Sequence, residues 1–132
     1  MIPANTIVLN KIIFEGDTNW PIGVVGLVAN KISEKYHRPS IIFHLTKERA
    51  HASCRSIPQF NIIKAISQAA DLLEGFGGHP GAAGFNILRK NLDSFKKQIL
   101  AIADEQLKSE DLVSFLEIDA QLLPEGVSWK NY

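Results

Sequence analysis

Residues 75–84 read Gly75-Phe76-Gly77-Gly78-His79-Pro80-Gly81-Ala82-Ala83-Gly84, five glycines in ten positions. Upstream, Asn61 stands as an N-cap for a helical pattern carrying Ile62, Ile63, Ala65, Ile66, Ala69, Ala70, Leu72 and Leu73, which ends as Gly75 is reached. Downstream, residues 85–88 are strand-like. The glycine run is therefore the passage from a helix into a strand, and it sets the alternation of elements along the chain. Adjacent glycines admit positive φ and let backbone N–H groups approach an anion, and the His79 imidazole adds a directional donor. The run is neither a Walker loop nor a dinucleotide fingerprint, because it lacks a Gly-Lys-Ser/Thr ending and a strand rather than a helix follows. A tight turn whose small residues permit close packing is the competing reading.

Working outward, residues 6–14 are rich in β-branched side chains and short enough for a strand, and the polar stretch 15–19 breaks it. From 22 to 36 the apolar residues fall largely at three- and four-residue intervals, with Lys31, Glu34 and Lys35 opposite, as in an amphipathic helix. Pro39 stops it. Residues 40–46 and 50–56 read as two strands joined by Lys47-Glu48-Arg49, and a third helix covers about 92–108. Residues 112–123 look strand-like before Pro124-Glu125-Gly126 turns the chain outward. The order β-α-β-β-α-β-α-β fits an α/β or α+β domain, a mixed sheet packed by about three helices.

The 132 residues are 45% hydrophobic and 21% charged, with 14 basic and 14 acidic side chains cancelling to a formal net charge of +0. That composition excludes disorder over most of the length, and a chain this long needs no disulfide or structural metal to hold a core. Without a positive excess, any site for a polyanion must be compact. The single cysteine, Cys54, cannot form an internal disulfide, and no Cys/His spacing suits zinc, so a reducing cytoplasm is expected. No membrane span or signal peptide is read.

A second constellation is His51-Ala52-Ser53-Cys54-Arg55-Ser56. On a strand, Ser53 and Arg55 project to the same face, and a hydroxyl beside a guanidinium fork clamps a phosphate. The alternative is an ordinary surface strand whose Arg55 pairs with a nearby carboxylate. Cys54, facing the other way, reads as a small core residue. Gly23 and Gly26 are read as letting the first helix approach the sheet, with Trp20 over the core, and cations in Tyr36-His37-Arg38-Pro39 complement a helix C-terminus. His44 and His51 flank a hairpin without an assigned role.

Together these stretches resemble the DHH-associated domain of the DHH phosphoesterase superfamily, in its RecJ branch of single-stranded-DNA-specific exonucleases. The resemblance covers about residues 6–108. It rests on Gly23-Val24-Val25-Gly26-Leu27-Val28-Ala29, Tyr36-His37-Arg38-Pro39, Ser53-Cys54-Arg55-Ser56-Ile57-Pro58, and Asp71-Leu72-Leu73-Glu74 leading into Gly77-Gly78-His79-Pro80-Gly81-Ala82-Ala83-Gly84. It implies that Ser53 and Arg55 hold a phosphate of single-stranded DNA near its 5′ end, with Gly77, Gly78 and His79 against the nucleotide and the scissile phosphate. Ser56 and Gly81 are secondary candidates. A role in DNA repair and recombination goes with it. Residues 1–108 would be the substrate-binding domain, and 109–132 a connector and first strand of a truncated oligonucleotide-binding domain. Pro21, where the branch usually has His, and Cys54 and Gln59, where it commonly has Gly, are departures.

The superfamily's hydrolytic metals, manganese or magnesium, are held by a separate N-terminal domain with an Asp-His-His motif. Here Asp17, Asp71, Asp93, Asp104, Asp111 and Asp119 are never next to a His, so no metal-ligand residues and no catalytic residues are read in this chain. The resemblance implies a fragment of an exonuclease, inactive alone, that grips substrate for missing domains on either side. Two alternatives stay open: a phosphodiesterase of the same superfamily acting on short oligonucleotides or cyclic dinucleotides, and a non-catalytic binding or oligomerisation module.

Overall fold

The computed structural model describes residues 10–112. Alternation of buried and half-buried residues along Arg49–Arg55 (β3) and Ala82–Leu88 (β5) makes these strands two-faced, and both lie inside the sheet. Ile13–Asp17 (β1) pairs in parallel with Ser40–Leu45 (β2), β2 and β3 are antiparallel, and β3 and β5 are antiparallel. Leu73–His79 (β4) closes the far edge against β5, giving the order β1-β2-β3-β5-β4. The parallel β1–β2 pair needs a crossover, supplied by the helix Val25–Tyr36 (α1).

Helix α1 lies on one face, where Val25, Ala29 and Ile32 bury Ile13 and Ile42, with Trp20 packed alongside. The short helix Ile62–Ser67 (α2) and the long helix Arg89–Gln106 (α3) lie on the other face, over a larger core. In that core the rings of Phe14, Phe43, Phe85 and Phe95 meet at centroid distances of 4.7–6.2 Å. The expected mixed sheet with three helices is what forms, with one strand added to the expected order.

That added strand is the main difference from the sequence reading. The helix read through residue 73 ends at Ser67, a 3-10 turn at Ala70–Leu72 follows, and the glycine run enters the sheet as β4. Only its centre, Pro80-Gly81, is a turn. Glycine has low strand preference, so β4 exists because β5 offers it a backbone edge. Of the first strand expected at 6–14, residues 6–9 lie outside the described residues; the strand observed begins at Ile13 and runs on to Asp17, taking in Gly16, where a Cβ would fall 2.0 Å from the Phe43 ring. Helix α1 starts at Val25, after a turn at Ile22-Gly23-Val24, and ends before Pro39 through His37 at φ 50°. Helix α3 begins at Arg89, three residues before the expected start. Asn61 caps α2, its side chain accepting from Lys64 N at 3.1 Å. The strand-like stretch 112–123 lies outside the described residues except Leu112, which ends a 3-10 turn, Ser109–Leu112.

Candidate nucleic-acid interface

The α1 side of the sheet is covered over β2 and β3. Toward β5 and β4 the same face carries small residues, because register places Ser53 opposite Gly84 and Gly84 opposite Gly77. The next row reads Arg55, Ala82, His79, and the row on the other side His51, Asn86, Gly75. Directly opposed residues share a face. Ser53 and Arg55 therefore stand at the margin of a shelf floored by glycine, with His79 across it from Arg55, about 10 Å away at twice the strand spacing. Gly77, Gly78 and His79 are exposed.

The polar groups on this shelf are largely uncommitted. Arg55 Nη1 donates to its neighbour Cys54 O at 2.8 Å, and among the described residues Arg55 has no carboxylate partner. The ion pair considered for that strand belongs to Arg49 instead, whose Nε and Nη2 donate to Glu74 Oε1 and Oε2 at 2.8 and 3.2 Å. This bidentate bond raises the Arg49 pKa and lowers that of Glu74. Ser53 Oγ has no protein partner among the described residues. Above both lies Gly26 of α1: a Cβ there would sit 3.6 Å from Ser53 Oγ and from Arg55 Nη2. Gly23, read with Gly26 as a packing residue, has nothing within 4 Å of a built Cβ.

The two adjacent glycines do different work. Gly78 holds φ +144°, and a Cβ on it would lie 2.4 Å from Ala82 O and 2.5 Å from Ala83 Cα, so the hairpin itself demands glycine. Gly77 has nothing within 4 Å of a built Cβ. Packing therefore gives no reason for glycine at 77, whereas a ligand lying on the shelf does.

The secondary candidates hold the hairpin turn. Ser56 N donates to Gly81 O at 3.0 Å, Ile62 N to Pro80 O at 3.1 Å, and the Ser56 hydroxyl is spent on Phe60 O at 2.6 Å. Both also line a groove of about 270 Å³ that includes Arg55 and His37. Cys54 is fully buried in the larger core, and burial pushes its thiol well above the ordinary range, outweighing the opposite pull of Arg55. His44 and His51, passed over in the sequence, are stacked cross-strand neighbours 6.3 Å apart, with His44 Nδ1 2.6 Å from Trp20 O. His51 shares the Ser53 and Arg55 face, as period-two alternation implies. Asn86 joins that face only through the β3–β5 register.

A model of the DHHA1 domain family matches residues 5–108. The chain belongs to the DHHA1 domain family. This DHHA1 domain is 37% identical over 102 residues to the single-stranded-DNA-specific exonuclease RecJ of Bacillus subtilis, covering 76% of the chain and 13% of that protein. The structure of RecJ from Thermus thermophilus in complex with Mg2+ matches with a TM-score of 0.70 at 30% identity, over 80% of this chain and 16% of that one. An exonuclease RecJ bound to manganese matches with a TM-score of 0.69 at 30% identity, over 82% and 27%. The chain thus spans well under a third of the length of these relatives. Among the described residues no three His, Cys, Asp or Glu side chains form a group that could hold a metal ion, so the residues present do not fit the ions of those structures.

Proposed function

We propose that this DHHA1 domain is the substrate-gripping part of a RecJ-type exonuclease acting on single-stranded DNA from the 5′ end. Ser53 Oγ and the Arg55 guanidinium donate to a phosphate near that end. The strand runs over Gly84 and Gly77, and Gly78 and His79 lie against the next nucleotide and the scissile phosphate. The observation that carries this reading is a Ser53 hydroxyl without a protein partner among the described residues, and an Arg55 guanidinium bonded only through Nη1 to Cys54 O, beside a glycine shelf that packing does not require to be bare at Gly77. The relatives' names support the substrate class.

Binding here is positional and electrostatic. Arg55 offers a rigid fork of N–H donors, Ser53 adds one O–H, and the wall formed by α1 limits water on one side. Hydrolysis belongs to a metal-bearing N-terminal domain outside this chain, loaded with manganese or magnesium, and an oligonucleotide-binding domain follows on the other side. The same reading places the protein with cellular DNA in the cytoplasm, in repair and recombination; no helix among the described residues is long and apolar enough to cross a membrane.

The test is Arg55→Ala, measured by fluorescence anisotropy with a 5′-phosphorylated oligothymidylate. A lost charge-assisted hydrogen bond weakens binding about tenfold to a hundredfold. The same variant in the intact exonuclease should lose a similar factor in kcat/KM. Unchanged binding would remove Arg55 from the grip.

A further inference from the structure

Beside Ser53, on the side away from Arg55, lies a pocket of about 440 Å³. Its floor is the sheet backbone around Gly75 and Gly84, and the apolar side chain over it is Ile22 (58% exposed), from the turn before α1, with the buried Val25 behind. An exposed apolar side chain over a concave, glycine-floored space suits a flat apolar ligand face. The pocket also carries a polar pair: His51 Nδ1 donates to Asn86 Oδ1 at 2.6 Å. That bond turns the Asn86 amide N–H groups and the lone pair of His51 Nε2 toward other partners, and among the described residues the protein supplies none. A donor thus stands beside an acceptor.

We propose that this pocket receives the unpaired base of the nucleotide whose phosphate Ser53 and Arg55 hold. The inference rests on the gripping reading and extends it. His51 is two residues from Ser53 on β3, about 6.7 Å along the strand, a separation that a sugar bridges between its 5′ phosphate and its base. Each of the four bases presents a donor next to an acceptor on its pairing edge, so the Asn86–His51 pair meets any of them. A base already paired to a second strand has that edge occupied. The pocket therefore selects single strands without selecting sequence.

The experiment titrates the 132-residue chain, followed by amide NMR, with thymidine 5′-monophosphate and with 2-deoxyribose 5-phosphate, which carries the same phosphate and no base. Thymidine monophosphate should bind roughly tenfold more tightly and shift His51 and Asn86 signals together with those of Ser53 and Arg55. Deoxyribose phosphate should shift only the Ser53 and Arg55 region. Asn86→Ala and Ile22→Ala, both at exposed positions, should each bring the nucleotide down toward the affinity of the sugar phosphate. Equal affinities in the unaltered chain, with shifts confined to Ser53 and Arg55, would overturn the base pocket and leave the phosphate grip standing. Failure of both probes to bind would overturn the grip, and this inference with it.

Discussion

At residue 26 a glycine stands where a side chain would fit, with its nearest neighbours at ordinary contact distance. Helix stability alone would prefer alanine there by about 1 kcal/mol. Gly26→Ala should therefore raise the melting temperature while leaving oligonucleotide binding nearly intact. Gly26→Leu should cover Ser53 and Arg55 and reduce binding at least about tenfold, a loss comparable to one charge-assisted hydrogen bond. Thermal melting and anisotropy on the two variants check this, and a leucine variant that binds normally contradicts it. The sequence marked Gly77 and Gly78 as one motif, yet only Gly78 is held by backbone geometry. The difference was invisible in the residues, because it depends on how close β5 comes to each position. In the same way, residue type alone could not tell which arginine of β3 holds a carboxylate; the register gives Glu74 to Arg49, and Arg55 has no carboxylate partner among the described residues.

At the level of elements, β4 is the informative case. It is an edge strand containing three glycines, and Arg49 reaches it from β3 across the intervening β5. The hydrogen bond and charge of Arg49 lower the Glu74 pKa below its usual value. A depressed carboxylate contributes stability above its unfolded pKa, and loses it as pH falls through the folded one. The pair is exposed, so the effect is small and weakened by salt. Unaltered protein should melt slightly higher than Glu74→Gln at neutral pH, and the difference should vanish as pH drops through the carboxylate range. A pH-independent difference would assign the effect to packing. Helix α1, strands β2 and β3 and the Asn61 cap were legible because periodicity and capping are local signals. Strand β4 was not, since its partner edge is brought to it by folding.

For the whole molecule, a formal net charge of +0 means that the proposed oligonucleotide binding would depend on the few groups at the shelf. Single-stranded DNA releases about 0.7 counterion per phosphate contact. One or two contacts predict a slope of about −1 in a plot of log affinity against log salt, read by anisotropy from 50 to 300 mM salt as a range of roughly sixfold in ionic strength. A much steeper slope would mean that basic groups beyond the shelf take part. The purified chain with manganese should release no nucleotides from single-stranded DNA, whereas the proposed intact exonuclease should. Metal-dependent release by the chain alone would move the chemistry into this domain. The amino-acid sequence by itself determined the class of fold, the core-facing residues of β3 and the common face of Ser53 and Arg55, since each follows from side-chain chemistry and local periodicity. Only the tertiary structure decided that Ser53, Gly84 and Gly77 form one row, that Arg55 keeps its guanidinium available, and that Asn86 joins His51 beside them. Those facts depend on strand register and on what covers each face, and residues far apart in the chain settle both.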